Sequence, residues 1–327
     1  MQENPGPQLP PGAQPPAWPS QPPRGESWFL PVPRGVRYDH LARTQADQLW
    51  RAIVGTLMVG IGFLLIQAMV VISGGVIAAL AGMPPPANPA VDLFGDPVFG
   101  MAVLLLSIAL VLPLVFGTAA LVQRRRPGTL SSVAGRLRWG WLLRCLALAV
   151  LALVLGQIAQ IVVMSLTGNE PSKLFGWTGW ADFLIPLIII LLLVPVQAAT
   201  EEYVFRGWFL QAFGVHVRNP AWAILIGSLL FAAMHGYTWL GLVDVFLFGV
   251  IMGWLTVRTG GLEAAIALHV VNNLIAFGIS AAAGRLDEAL RQGDVPWQML
   301  AGTVVQFGVY IVGVLYLAKK RSISTIS

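Results

Sequence analysis

The sequence predicts an all-α, polytopic membrane protein of about eight transmembrane helices, and three observations predict it. Of 327 residues, 56% are hydrophobic and only 11% charged, where soluble proteins carry roughly a quarter charged residues. The mean hydropathy is +0.73. Several apolar runs reach the ~18 residues that mark a spanning helix, and none breaks into the ~10-residue alternating segments of a membrane barrel.

Residues 1–45 open the chain with "NPGPQLPPGAQPPAWPSQPPRG", rich in Pro, Gln and Gly. Such a stretch buries too little apolar surface to fold, which predicts a disordered cytoplasmic tail, and it lacks the apolar core of a signal peptide. Eight spans follow at 52–81, 98–122, 140–166, 181–213, 221–236, 240–257, 262–281 and 297–318. They divide into three N-terminal helices in 46–170, a polar-bearing core of helices four to seven in 180–282, and an eighth helix with a basic tail in 297–327. The fourth span is long for a bilayer, so it is tilted, broken near Pro195, or continued past the lipid. The closing "RSISTIS" carries no prenylation signal. Cys145 is the single cysteine, which excludes an intrachain disulfide or a cysteine metal framework.

Orientation follows from the loops. Arg24, Arg34, Arg37, Arg43 and Arg51 precede the first span, Arg124, Arg125, Arg126, Arg136 and Arg138 follow the second, and Lys319, Lys320 and Arg321 follow the last. The alternate loops are poorer in Lys and Arg, with none in 82–97 and only Lys173 in 167–180. The positive-inside rule then places both termini in the cytoplasm. The net charge of +5 thus reflects topology and contact with anionic lipid, not nucleic acid. The Pro-rich tail and the Ala, Val, Leu and Gly richness suggest a bacterial cytoplasmic membrane. The oligomeric state has no signature in the sequence.

A charge at the centre of a spanning helix costs at least ~2.5–3.5 kcal/mol, so intramembrane ionisable groups mark cavities or partners. Here they gather in the C-terminal half: Glu201, Glu202 and Arg206 on span four, His235 on span five, His269 and Asn273 on span seven. Glu202 and Arg206 stand i, i+4 and can pair on one face, while Glu201 is turned about 100° away. His269 and Asn273 also share a face. Counted from the turn between spans four and five, Glu201 and His235 lie about 20 and 22 Å deep, and His269 about 13 Å from its own end. One shared site is therefore geometrically allowed. Each group also has a plainer reading: an ion pair that fixes packing, a histidine bonded to a carbonyl, an asparagine bridging helices. Asp244 and Glu263 fall near span ends, where interfacial solvation accounts for them. His40 and His216 are expected in solvent, and Asn272 in packing. Gly249 and Gly253 form a small-xxx-small pair that lets helices approach. Ser228 lacks the Gly-x-Ser-x-Gly frame of a serine nucleophile.

"EEYVFR", "FAAMH" and "HVVNN" resemble the three motifs of the CPBP intramembrane protease family, also called Abi or CAAX proteases: Glu-Glu-x-x-x-Arg, Phe-x-x-x-His and His-x-x-x-Asn, in that order. The resemblance covers roughly residues 180–280. It implies an eight-helix fold with a polar intramembrane cavity open to the cytosol. It also implies that Glu201 activates a water positioned by His235, that His269 and Asn273 stabilise an oxyanion, and that Glu202 and Arg206 support them. The family includes the eukaryotic enzyme that trims prenylated proteins, and its prokaryotic members are linked to peptide processing, self-immunity and protein anchoring. The implied substrate is a peptide or membrane protein. Glu201, His235 and His269 also make a His₂Glu set of the kind that binds catalytic zinc (Zn2+), although a glutamate-activated water needs no metal; both readings stay open at this stage. Two further classes compete with an endopeptidase. One is a non-catalytic immunity or scaffold protein of the same family. The other is an ion-coupled transporter, which the lack of paired broken helices in two matching halves disfavours.

Overall fold

In a computed structural model, residues 27–88, 92–170 and 175–327 are described, so the expected disorder of residues 1–26 falls outside them. Among the described residues the regular structure is helical, joined only by isolated bridges. Helix α1 (Leu49–Leu80) is apolar around its whole circumference, and Leu57, Ile61, Leu64 and Ile72 remain exposed. A helix apolar on all sides is either buried in protein or faces lipid; α1 is mostly unburied, so its solvent is lipid. Helix α2 (Pro97–Ala109) starts where the Asp96 carboxylate caps the amides of Val98 and Phe99, with Pro97 in the first turn. Pro113 cannot donate to the carbonyl of Ala109, and the helix breaks there before resuming as α3 (Leu112–Leu121). Helix α4 is Trp139–Leu166.

Helix α5 (Trp180–Glu202) runs through both Pro186 and Pro195. It passes into a π-helical stretch, Tyr203–Phe209, and ends as α6 (Leu210–Gly214). The 35 residues Trp180–Gly214 form one helical rod of roughly 50 Å. The rod is longer than the ~30 Å hydrocarbon core, and its irregularity sits after the glutamates, not at Pro195. Helix α7 (Pro220–Ala233) is capped by Asn219, α8 (Trp239–Thr259) stops at left-handed Gly260, and α9 (Glu263–Ala282) follows at once. Short α10 (Leu286–Arg291) precedes α11 (Met299–Lys320).

Seven of these rods are long and apolar enough to cross a membrane, one fewer than expected. The exception is α7: its 14 residues rise about 21 Å, less than the ~30 Å hydrocarbon core. The turn at 234–238 follows it. Gly293 pins it by accepting from the Thr238 amide (3.1 Å) and donating to the Gly236 carbonyl (3.3 Å).

Helix α9 is the hub, packed against α4, α5 and α8. Its face Ala264–Leu268 is almost wholly buried, which is why small Ala alternates there with Ile and Leu. Close approach elsewhere depends on glycine. A Cβ on Gly249 of α8 would stand 2.8 Å from the Ser228 side chain on α7, as the small-xxx-small reading requires. A Cβ on Gly156 of α4 would meet the Gly302 carbonyl oxygen of α11 at 2.8 Å, and the reverse holds at Gly302.

The segment 27–45 departs from the expected disorder. Tyr38, Asp39 and Leu41 are buried, the Tyr38 hydroxyl donates to the Leu130 carbonyl, and Arg43 donates to Gly214 O at 2.8 Å. His40 is not free in solvent but lies 3.2 Å from Asp39; His216 is exposed. Two ladder bonds, Gly35 N to Ser327 O (2.8 Å) and Ser327 N to Val36 O (3.0 Å), tie this segment to the end of the chain. Composition misled here because "VRYDHLA" supplies apolar side chains within a Pro-rich context.

Two charges expected at water are also buried. Glu263 is fully enclosed and receives Arg138 through both carboxylate oxygens, at 2.8 and 2.7 Å. Arg125, counted among the loop cations, is fully buried, where it donates to Gln123, Thr129 and Gln211. Burial lowers its pKa from 12.5 to about 10, against the pull of nearby Tyr38.

Candidate active site

Three pieces of the chain supply the polar groups. The end of α5 and the π-helical stretch carry Glu201, Glu202 and Arg206; the turn after α7 carries His235; α9 carries His269 and Asn273. Contact between α5 and α9 brings the first and third together. A π-turn widens the helix and is found mostly at functional positions; this one begins at the residue after Glu202.

Glu202 is the anchor. Its Oε1 accepts from Arg206 Nη1 at 3.0 Å and from His269 Nδ1 at 2.7 Å, and none of its side chain is exposed. The i, i+4 pairing expected of Glu202 and Arg206 is therefore present. Arg206 also lies over the Phe231 ring, 4.5 Å from its centroid, a cation–π contact in an apolar wall. The other Glu202 oxygen and Arg206 Nη2 are buried without a hydrogen-bond partner, among the described residues.

Glu201 behaves differently. Its side chain keeps 13% of its surface accessible, and its Oε2 lies 3.3 Å from His269 Nε2. His269 thus stands between two carboxylates, one on each ring nitrogen. A carboxylate only accepts, so Nδ1 carries a proton toward Glu202. Phe248 and Phe231 meet the His269 ring edge-on, with centroids at 5.2 and 6.0 Å, and lower the local dielectric.

His235 and Asn273 stand one step away. The His235 Nδ1 is 2.8 Å from the Phe231 carbonyl, which fixes the proton on Nδ1 and leaves Nε2 as an acceptor. His235 is within electrostatic reach of Glu201 and His269, but no hydrogen bond joins it to either among the described residues. Asn273 Nδ2 donates to Gln197 Oε1 at 3.1 Å. Glu202, Arg206 and His269 are buried, whereas Glu201, His235 and Asn273 remain partly accessible.

One residue, Gln197, was missed from sequence. Gln197 lies one turn before Glu201 on α5, so the i, i+4 rule that paired Glu202 with Arg206 also pointed to it. Phe231 serves as carbonyl acceptor for His235 and as a wall for Arg206 and His269. Its signal was its place four residues before His235. Asn272 accepts from Gln306 at 2.7 Å, a bridge between α9 and α11. Asp244 accepts from Thr303 at 2.6 Å.

The donor types of Glu201, His235 and His269 suit zinc, and both ring tautomers would present Nε2. The arrangement does not gather them: no group of three or more His, Cys, Asp or Glu among the described residues is placed to hold one metal ion.

Residues 182–275 match the family model described as type II CAAX prenyl endopeptidase Rce1-like. The uncharacterized protein YyaK of Bacillus subtilis (strain 168) is 36% identical over 100 residues, 28% of this chain and 33% of that protein. An uncharacterized 24.3 kDa protein of Escherichia coli is 35% identical over 102 residues, 30% of this chain and 46% of that protein. The chain thus spans less than half the length of these curated relatives, and no solved structure matches it. The protein is an integral membrane protein whose residues 182–275, bearing all three motifs, match the Rce1-like protease family model.

Proposed function

We propose that this protein is an intramembrane endopeptidase that hydrolyses a peptide bond of a membrane-associated protein or peptide. The observation that carries the reading is the division of labour between adjacent glutamates: Glu202 is enclosed and held by Arg206 and His269, while Glu201 is partly accessible and lies 3.3 Å from His269 Nε2. In this reading Glu201 takes a proton from water as the water oxygen attacks the carbonyl carbon. The His235 Nε2 lone pair accepts the other water hydrogen and orients the nucleophile. The tetrahedral oxyanion is met by the protonated His269 and by the amide of Asn273, which Gln197 aims. Collapse breaks the C–N bond, and the proton held by Glu201 and His269 goes to the leaving amine. Glu202 and Arg206 position His269 without touching substrate.

Gly35 and Val36 bond Ser327, so the segment before α1 and the segment after α11 lie on one face. We assign that face to the cytoplasm on its basic residues, in a bacterial inner membrane. The scissile bond then approaches from the leaflet that Glu201 faces.

The test is purified protein in liposomes with a library of membrane-tethered peptides, beside Glu201→Gln and His235→Ala. Cleavage that both variants abolish supports the reading; products unchanged in Glu201→Gln overturn it. Chelation is the second arm. Because the three donors are not gathered around one point, activity is expected to survive EDTA, and loss that zinc restores would return the His₂Glu set to the mechanism.

A further inference from the structure

At the opposite end of α7 and α8 from the His235 turn, a cavity of about 600 Å³ opens between α7, α8, α11 and the C-terminal segment. Its size is within the ~300–1,000 Å³ of small-molecule sites. Its floor is apolar, formed by Ile224, Val257 and Leu315. Its rim is cationic: Arg258 lies over Trp254, 5.8 Å from the ring centroid, and Lys319 stands at the last turn of α11. Neither Arg258 nor Lys319 has an ion-pair partner among the described residues, and no Asp or Glu lines the cavity. Arg37, also at the rim, is already neutralised by Asp39 at 2.9 Å.

We infer that this cavity binds one anionic glycerophospholipid. Two free cations without a counter-charge complement a phosphate head. The apolar floor fits the first methylenes of an acyl chain, and the exposed Trp254 ring suits the level where chain meets headgroup. The helix ends that form the site, Thr259 and Lys320, lie where a spanning rod leaves the hydrocarbon. Basic pockets between membrane helices hold anionic heads by this chemistry. The site contains none of the groups assigned to hydrolysis, so the inference stands apart from the endopeptidase reading.

The experiment uses the full chain, delipidated in detergent and titrated with phosphatidylglycerol or phosphatidylcholine under native mass spectrometry. Phosphatidylglycerol is expected to bind at least fivefold tighter. Arg258→Gln with Lys319→Gln is expected to weaken it about 25-fold, from about fivefold for each basic residue near an anionic head. Lys320→Gln with Arg321→Gln, outside the cavity lining, should leave it unchanged. Photocrosslinking of a diazirine-bearing phosphatidylglycerol to the unmodified protein provides a readout independent of variants, with label expected on Trp254 and Leu315. Equal affinity for the two lipids, an unchanged double variant, or label spread evenly over the lipid-facing helices each overturns the inference. So does displacement of the lipid by inorganic phosphate at matched concentration, which would mark a soluble-anion site.

Discussion

Glu202→Gln and Glu201→Gln differ by one position in sequence and should differ sharply in effect. In Glu202→Gln the shape is retained, but the Arg206 guanidinium, 4% exposed and 3.0 Å from the carboxylate it loses, is left as an uncompensated buried cation. Breaking a buried pair from one side costs about 3–5 kcal/mol. At ~2–4 °C per kcal/mol this is a fall of about 6–20 °C in melting midpoint. Glu201 has one contact, at 3.3 Å, and is partly accessible. Its replacement should move the midpoint by less than about 4 °C, since substitutions away from enclosed networks stay near ~1 kcal/mol or below. The activity order is reversed. Glu201→Gln removes the base, for a loss of about 10²–10⁴, whereas Glu202→Gln keeps residual turnover at low temperature. Thermal melts in detergent, run beside peptide cleavage at 15 °C, separate the two. If Glu201→Gln melts as low as Glu202→Gln, or if Glu202→Gln melts within about 2 °C of the parent, the two roles have been assigned wrongly.

Gly156→Leu drives a side chain into the Gly302 backbone and should lower the melting midpoint by the ~1–3 kcal/mol of overpacking or more, without altering the site's chemistry. Arg138→Met strands buried Glu263 and should destabilise by about 3–5 kcal/mol, with part recovered in Arg138→Met/Glu263→Leu; strict additivity in that cycle would deny the pair. Gln197→Ala should lower kcat about tenfold, ~1.4 kcal/mol, at unchanged KM, because Asn273 loses its aim while substrate contacts remain. Burial holds the pKa of His40 below 6.5. The folded state therefore binds fewer protons than the unfolded chain as pH falls through 6.5, and stability declines there; His40→Gln should flatten the melt-versus-pH curve between pH 7 and about 5.

One contact within a helix could be read directly from spacing: Glu202 to Arg206 is four positions. The rods themselves were legible because lipid demands long apolar runs. Register between helices was not. Arg138 and Glu263 are 125 positions apart, and no local rule joins them. The π-helical stretch was hidden because its i, i+5 bonding leaves no mark in the order of residue types. The crossing at α7 was overcounted because "PAWAILIGSLLFAAMHGY" is apolar past the point where the helix stops. The depth estimate put His269 near Glu201, and the structure does bring them together. It also shows that His269 serves both glutamates, which a search for one base and one oxyanion donor would not suggest.

The bond between Val36 and Ser327 joins positions 291 residues apart. Gly35 and Val36 therefore find these backbone partners only after every helix between them and Ser327 has been made. An affinity tag fused directly after Ser327, or a truncation of the last four residues, would act on the first folded segment of the chain rather than on the last.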